Sequence, residues 1–185
     1  MREEKKQMTI NGSSCRVRLL IFEESDRPWL RRSYDMWQKL SSNMRRVHAR
    51  AINLPEGISE SAFCLEYGTA RILDVKGGES SSFDTINLKN GDRQQIKATS
   101  IEDDLTSFGP KSVWDDLYFL DFFRKGAFDR SFDVYKIPDD LIYNHKINRT
   151  ETFRDQQKKG LRPRFGIKKK IIKEHAIQPE RTCRI

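Results

Sequence analysis

The chain has 185 residues, of which 34% are charged and 10% aromatic, and its formal net charge at neutral pH is +8. This length suits one domain with a buried core, and the aromatic residues argue against wholesale disorder. The three cysteines are odd in number and widely spaced, which argues against a disulfide framework or a zinc site. No apolar run approaches membrane-spanning length and the first residues lack a signal-peptide core, so we expect a cytoplasmic protein.

The N-terminal third predicts a strand and a long helix. Residues 16–22 are either a short strand or the start of a helix. Asp26 and Pro28 are typical of a helix start, and apolar residues then recur every three or four positions to about Arg50. We expect this apolar stripe to pack in the core, with a dimer contact as the alternative.

A second helix is predicted to begin with Ser59 as its N-cap and to end near Ile72. It carries two carboxylates, Glu60 and Glu66. Glycines and serines at 77–82 predict a flexible loop that leads into the centre of the chain.

Residues 83–99 contain two short runs with strand character on either side of Asn-Gly at 90–91, which is typical of a two-residue type I′ hairpin turn. That turn would place Asp84 directly opposite Lys97. Since side chains alternate along a strand, Asp84, Gln95 and Lys97 then share one face. An ordinary surface hairpin is the simpler interpretation, but these groups together also suit a divalent cation and a phosphate.

The C-terminal half predicts strands at 117–123 and 132–137 and helices at 139–144, 150–159 and 166–175. Helices on both sides of a strand-rich centre predict an α/β (mixed α+β) fold. The segment 154–185 holds 11 basic and 3 acidic side chains, whereas the rest of the chain holds 24 of each. The basic excess therefore belongs to the C-terminal segment and indicates a polyanionic partner.

Hydrolysis of a phosphodiester needs a metal ion that polarises the phosphate and a cation near the nucleophile. Mg²⁺ prefers oxygen ligands and keeps several waters, so two or three protein oxygens suffice. Asp84, Gln95 and the backbone carbonyl of Ile96 offer such oxygens. Lys97 is placed to orient the attacking water.

The pattern of Asp84, then Gln95-x-Lys97, resembles the PD-(D/E)XK nucleases. Two positions depart from their pattern, since Phe83 replaces the usual Pro and Gln95 replaces the usual acid. The resemblance implies a restriction-endonuclease-like central mixed sheet flanked by helices. It also implies a carboxylate from the preceding helix. Glu60 and Glu66 lie on different sides of that helix, so only one of them faces the site, and we prefer Glu60 with Glu66 as the alternative.

Four further segments, 95–100, 108–110, 114–122 and 156–165, look like parts of small type II restriction endonucleases, and the subfamily they resemble most cuts at GCNGC. The resemblance covers most of residues 50–175. It implies a Mg²⁺-dependent homodimer that cuts both strands of double-stranded DNA at a short GC-rich palindrome. We expect one nuclease domain over 1–185, with an N-terminal strand and long helix (1–58), a catalytic core (59–137) and a basic DNA-contacting segment (138–185).

Amide and guanidinium groups in the basic segment are the groups that contact adenine and guanine edges, although contact with phosphates alone remains the alternative. The candidate DNA-binding residues are Gln156, Gln157, Arg162, Arg164, Lys168 and Lys169. Two other functions stay open at this point. One is a structure-specific repair or recombination nuclease of the same superfamily, and the other is a non-catalytic basic DNA-binding protein.

Overall fold

One large mixed sheet organises the fold in a computed structural model that describes residues 1–10, 12–76 and 83–185. The strands in these ranges are β1 (Arg2–Ile10), β2 (Ser13–Ile21), β3 (Thr69–Lys76), β4 (Thr85–Asn87), β5 (Arg93–Thr99), β6 (Thr106–Ser107), β7 (Asp116–Asp121), β8 (Ser131–Ile137), β9 (Arg164–Phe165) and β10 (Arg181–Arg184). The sheet has the order β1-β2-β3-β4-β5-β7-β8-β10, and β6 pairs with β9 separately. Neighbouring strands are antiparallel except β5 and β7, which are parallel.

Two helices cover one face of this sheet, namely α1 (Arg27–Arg46) and α2 (Glu56–Tyr67). Their buried side chains include Trp37 and Phe63, which pack in one cluster with Ile96 and Tyr118 from the sheet. The rings of Phe63 and Tyr118 lie 4.7 Å apart between centroids. Full burial of a side chain of this size contributes about 1.5–3 kcal/mol, so this layer is a main source of stability.

The other face is covered by the C-terminal elements, which are α3 (Asp139–Tyr143), α4 (Phe153–Lys158) and a π-helical segment (Lys168–Lys173). Phe108, Phe153 and Phe165 pack there against Phe119 of β7. The Phe108 and Phe153 rings meet edge-on with centroids 5.0 Å apart, a favourable aromatic geometry. A third cluster lies on the N-terminal strands and includes Val17 and other buried apolar side chains.

The fold-class prediction is confirmed, because helices flank a central mixed sheet. The predicted strands at 117–123 and 132–137 correspond to β7 and β8. The helix predicted at 150–159 is α4, which Thr152 caps by accepting the Asp155 N–H at 3.2 Å. No helix in the described ranges is long and apolar enough to span a membrane.

The long helix begins as predicted, with Asp26 as N-cap and Pro28 in the first turn. It ends at Arg46 rather than near Arg50. The apolar stripe packs in the core only over its first part, since Leu40 and Val47 are 48% and 69% exposed.

The predicted limits of the second helix are wrong at both ends. It starts at Glu56, with Pro55 as the N-cap residue, and Ser59 lies inside the first turns. It stops at Tyr67 because Gly68 adopts a left-handed conformation with φ of 62°, which ends a helix at little cost for glycine. The following residues pair as β3 with β2 and β4. The predicted loop at 77–82 lies outside the described residues.

Two edge strands were not predicted. Residues 16–22 are a strand, as one of the two alternatives had it, but they form a hairpin with β1. The sequence of β1 is rich in charged residues, which have little strand preference, so the strand was not predicted from it. The four-residue β10 at the C-terminal end completes the far edge beside β8.

Candidate active site

The loop between β4 and β5 differs from the predicted turn. The Asn87 N–H donates to the Asp92 carbonyl at 2.9 Å, so the four residues 88–91 make the connection. The side chains of Asn87 and Asn90 each accept a backbone N–H two residues further on, at 2.9 and 3.1 Å. These local hydrogen bonds stabilise the longer loop, and Gly91 supplies the required positive φ of 81°. The predicted two-residue turn at 90–91 is therefore wrong.

The strand register moves with the loop. Thr85 pairs with Gln94, which brings Asp84 level with Gln95 instead of Lys97. The predicted pairing of Asp84 with Lys97 is therefore wrong. Because the shift is two residues and side chains alternate with a period of two, Asp84, Gln95 and Lys97 keep a common face.

Asp84 lies at the mouth of a notch between β3 and β5. In the described residues β3 runs on to Lys76 and β5 to Thr99, but β4 begins only at Thr85. The Asp84 carboxylate turns into this notch, where its Oδ2 accepts the Ile96 N–H at 2.7 Å.

Two more oxygens are available at the notch. The Gln95 amide donates from Nε2 to the same Asp84 oxygen. Rotation of that amide by 180° presents its oxygen instead. The N–H and C=O of one strand residue point to the same side, so the Ile96 carbonyl also faces the notch.

Glu60 reaches the same region from α2. Its carboxylate is buried, with 6% of the residue exposed, and forms an ion pair with Nε of Arg71 on β3. Burial and the negative charge of Asp84 raise the pKa of Glu60 to about 7, against the opposing effect of Arg71. Burial also raises the pKa of Asp84, while the charge of Lys97 opposes that rise. The buried Glu60 and the half-buried Asp84 each resist ionisation, so an added cation is favourable at this site.

Lys97 lies beside these acids on β5. Its Nζ is 5.1 Å from the centroid of the Phe108 ring. Burial lowers its pKa, and the charges of Asp84 and Glu60 counteract that effect. The positive charge of Arg162 lowers the pKa further, so this exposed arginine from the basic segment is near the site.

The carboxylates alone are too few for a metal site. In the described parts of the chain, no three His, Cys, Asp or Glu side chains are arranged to hold a metal ion. A metal at the notch therefore needs the Gln95 amide or the Ile96 carbonyl in addition to Asp84 and Glu60. All four donors are oxygens once the amide has rotated, which is the donor set that Mg²⁺ prefers.

Glu66 lies elsewhere on α2. Its carboxylate is 2.8 Å from the Arg27 guanidinium, on the side of the helix that meets α1 and the C-terminal strand. Of the two candidate carboxylates, Glu60 is the one that Asp84 influences.

Sequence reasoning missed two charged neighbours of the site, Arg71 and Glu56. Glu56 lies one helical turn before Glu60, and its Oε1 is 3.9 Å from Arg71 Nη2. The predicted second helix extends to about Ile72 and so includes Arg71. With Arg71 on the helix, the sequence gives no indication that it pairs with Glu60 from a strand. A correct helix end at Gly68 is the signal that would have revealed it.

The six candidate DNA-binding residues divide into three groups by their exposure: exposed, half-buried and buried. Arg162, Arg164 and Lys169 are exposed. Gln156 and Gln157 are half-buried: Gln156 donates to Glu151 at 3.2 Å, and Gln157 to the carbonyls of Gly109 and Ser112, both at 3.2 Å.

Lys168 is buried in an ion-pair network. Its Nζ lies 2.8 Å from Asp121 and 3.0 Å from Glu102. It also lies 4.9 Å from the centroid of the Phe123 ring. The Lys168 ammonium group is buried and already paired with two carboxylates, so it is poorly placed to contact DNA.

Comparison with known proteins identifies the family. The family model described as Bsp6I restriction endonuclease matches residues 22–174. The chain belongs to this family. A curated member, Type II restriction enzyme Bsp6I from Bacillus sp. (strain RFL6), is 35% identical over 151 residues, which cover 80% of this chain and 82% of that enzyme. No solved structure matches the chain. The predicted resemblance to type II restriction endonucleases is confirmed, and this member of the Bsp6I family is a site-specific deoxyribonuclease.

Proposed function

We propose that this enzyme is a Mg²⁺-dependent homodimer of the PD-(D/E)XK type that cleaves double-stranded DNA at GCNGC in the cytoplasm. The whole chain, 1–185, acts as one nuclease domain. The observation that carries the proposal is the approach of Asp84, Gln95 and Lys97 to the buried Glu60 at one notch of the sheet. Membership of a restriction endonuclease family supports a divalent metal requirement.

The ligands proposed for Mg²⁺ are Asp84, Glu60, the Gln95 amide oxygen and the Ile96 carbonyl. When bound, the metal polarises the scissile phosphate and lowers the pKa of a water molecule. The Ile96 N–H and the Gln95 amide orient the Asp84 carboxylate before the metal binds.

Lys97 acts on the reacting phosphate and its nucleophile. Burial lowers its pKa, whereas the neighbouring carboxylates favour its charged form. A positioned ammonium group here orients the attacking water and stabilises negative charge that develops on the phosphate.

The basic segment positions the DNA. Arg162 and Arg164 are exposed, and Arg162 is close enough to influence the Lys97 ammonium. We assign base reading to these two arginines and phosphate contact to Lys169. The side chains of Gln156 and Gln157 take part in DNA recognition only if their internal hydrogen bonds are exchanged for bonds to base edges. A two-fold symmetric GCNGC site matches a two-fold symmetric homodimer.

Plasmid cleavage in the presence of Mg²⁺ tests the proposal. Wild-type protein should give discrete fragments. Lys97→Ala and Asp84→Ala should abolish cleavage but keep duplex binding. Lys89→Ala is a matched control, because it removes an exposed lysine from the loop of the same hairpin.

Near-complete activity of either variant would show that the notch is not the active site. Fragment ends that do not map to GCNGC would refute the proposed specificity while leaving the nuclease assignment in place.

A further inference from the structure

The hairpin of β1 and β2 carries a basic surface on the sheet face that α2 covers further along. We define the basic face as Lys5, Arg16, Arg18 and Lys76, all of which are exposed. Arg16 and Arg18 alternate with buried residues such as Val17, so they project from one face of the strand. Lys5 lies directly opposite Arg18, and Lys76 lies directly opposite Arg16. On its other side, Arg18 lies directly opposite Asp74.

The basic face contains like charges that an anion would relieve. Like charges directly opposite each other on neighbouring strands are destabilising, and the basic face contains two such pairs. Among the described residues, Lys5, Arg16 and Lys76 form no ion pair, and Arg18 lies 3.6 Å from an exposed Glu3 carboxylate. Four basic side chains thus face two acids, Glu3 and Asp74, and the surplus of two positive charges is what an extended polyanion would neutralise.

The basic face lies close to the candidate active site. Leu20 of β2 pairs with Arg71, the partner of Glu60, and Arg18 is two residues away from Leu20 on the same side of the strand. Asp84 is two strands away from β2 and starts from the other side of the sheet, because its neighbour Thr85 pairs with Arg71. Its carboxylate turns into the notch, which Glu60 reaches from the side of the basic face. Neighbouring strands are about 4.8 Å apart, so Arg18 is roughly 10 Å from Asp84. The hairpin lies outside residues 22–174, which the Bsp6I family model matches.

We propose that the basic face binds the phosphate backbone of duplex DNA that flanks the cleavage site. This inference rests on the proposed function. Arg16 and Arg18 are about 7 Å apart along the strand. B-DNA rises 3.4 Å per base pair, so a face roughly 10–15 Å from Asp84 meets the duplex about three to four base pairs beyond the cut. Contacts to phosphate strengthen binding to every sequence alike.

The test is the salt dependence of binding, measured without divalent metal so that no cleavage occurs. The variant Arg16→Ala/Arg18→Ala removes two charges from the basic face. The matched control, Arg2→Ala/Lys6→Ala, removes two exposed charges from the opposite face of the same hairpin. Each protein is titrated with a cognate and an unrelated duplex of about 25 base pairs over a range of salt concentrations.

The basic-face variant should lose affinity equally for both duplexes. The slope of log K against log salt should become less steep by about 1.8, since each phosphate contact contributes about 0.9. The control should keep the wild-type slope. A duplex truncated to about 10 base pairs around the site lacks the flanking phosphates, so wild type and variant should bind it alike. Thermal unfolding checks that the variant stays folded, since it loses opposite charges facing Arg18 as well as the like-charge pairs.

An unchanged slope, or an equal change in the control, would overturn the proposal. A loss confined to the cognate duplex would also overturn it, because it would indicate base reading instead of phosphate contact. These results concern binding without metal, so they are independent of the cleavage assay that tests the proposed nuclease site.

Discussion

The protonation of Glu60 gives the most quantitative test of the candidate site. Its pKa is raised from 4.5 to about 7, first by burial and then by the charge of Asp84. The folded protein therefore binds this proton more tightly than the unfolded chain does. The resulting stabilisation is fully present below pH 4.5 and is lost as the pH rises through about 7.

The variant Glu60→Gln keeps the size of the side chain but cannot ionise. A tenfold change in proton affinity corresponds to about 1.4 kcal/mol, so Glu60 should contribute about 2–3 kcal/mol more to stability at pH 5 than at pH 8. The free energy of unfolding, variant minus wild type, should therefore rise by about 2–3 kcal/mol between these pH values. Urea unfolding in a metal chelator measures this difference, and groups that titrate in both proteins cancel.

A difference that stays constant from pH 5 to pH 8 would refute the reasoning, because Glu60 would then titrate as an ordinary acid. Arg71→Gln provides a second check. Arg71 lowers the pKa of Glu60, so its removal should move the midpoint of the pH dependence above 7. A midpoint that moves down would mean that the ion pair does not act on Glu60 as inferred.

Three further substitutions test the surroundings of the site. Gln95→Glu should lower the melting temperature without metal and increase the stabilisation by added Mg²⁺, both measured by thermal unfolding, because it adds a carboxylate next to another. Arg162→Ala or Arg164→Ala should cost roughly 1–3 kcal/mol in binding to cognate DNA and much less on random DNA in equilibrium titrations; equal losses on both would indicate phosphate contact. Lys168→Ala should destabilise the fold by about 3–5 kcal/mol in urea unfolding, since it removes the ion-pair partner of the buried Asp121 carboxylate.

The common face of the polar side chains in the central hairpin was predictable from the sequence, but the pairing of its strands was not. The alternation of side chains and the order of Asp84, Gln95 and Lys97 are properties of the sequence alone. The loop length is not, because Asn87 and Asn90 form local hydrogen bonds that compete with the tight Asn-Gly turn. The face shared by the three side chains stayed the same only because the register moved by an even number of residues.

Other elements could not be predicted from local sequence, because residues far away in the chain decide their structure. The charged β1 forms a strand because β2 pairs with it, and its own sequence has little strand preference. The end of α2 at Gly68 was missed, and with it the position of Arg71 on β3 beside Glu60. The π-helical segment was found as a helix because Ile171 and its isoleucine neighbours give a clear apolar face.

The amide at position 95 is consistent with the charge balance of the site without metal. Glu60 is buried and Asp84 is half-buried, and burial raises the pKa of both carboxyl groups. Lys97 and Arg71 provide two positive charges against these two acids. An acid at position 95 would lie level with Asp84, and like charges directly opposite each other on neighbouring strands are destabilising. Gln95 instead donates a hydrogen bond to Asp84. The amide thus stabilises the site without metal, and the proposed role of Gln95 as an oxygen ligand requires the amide to rotate away from Asp84.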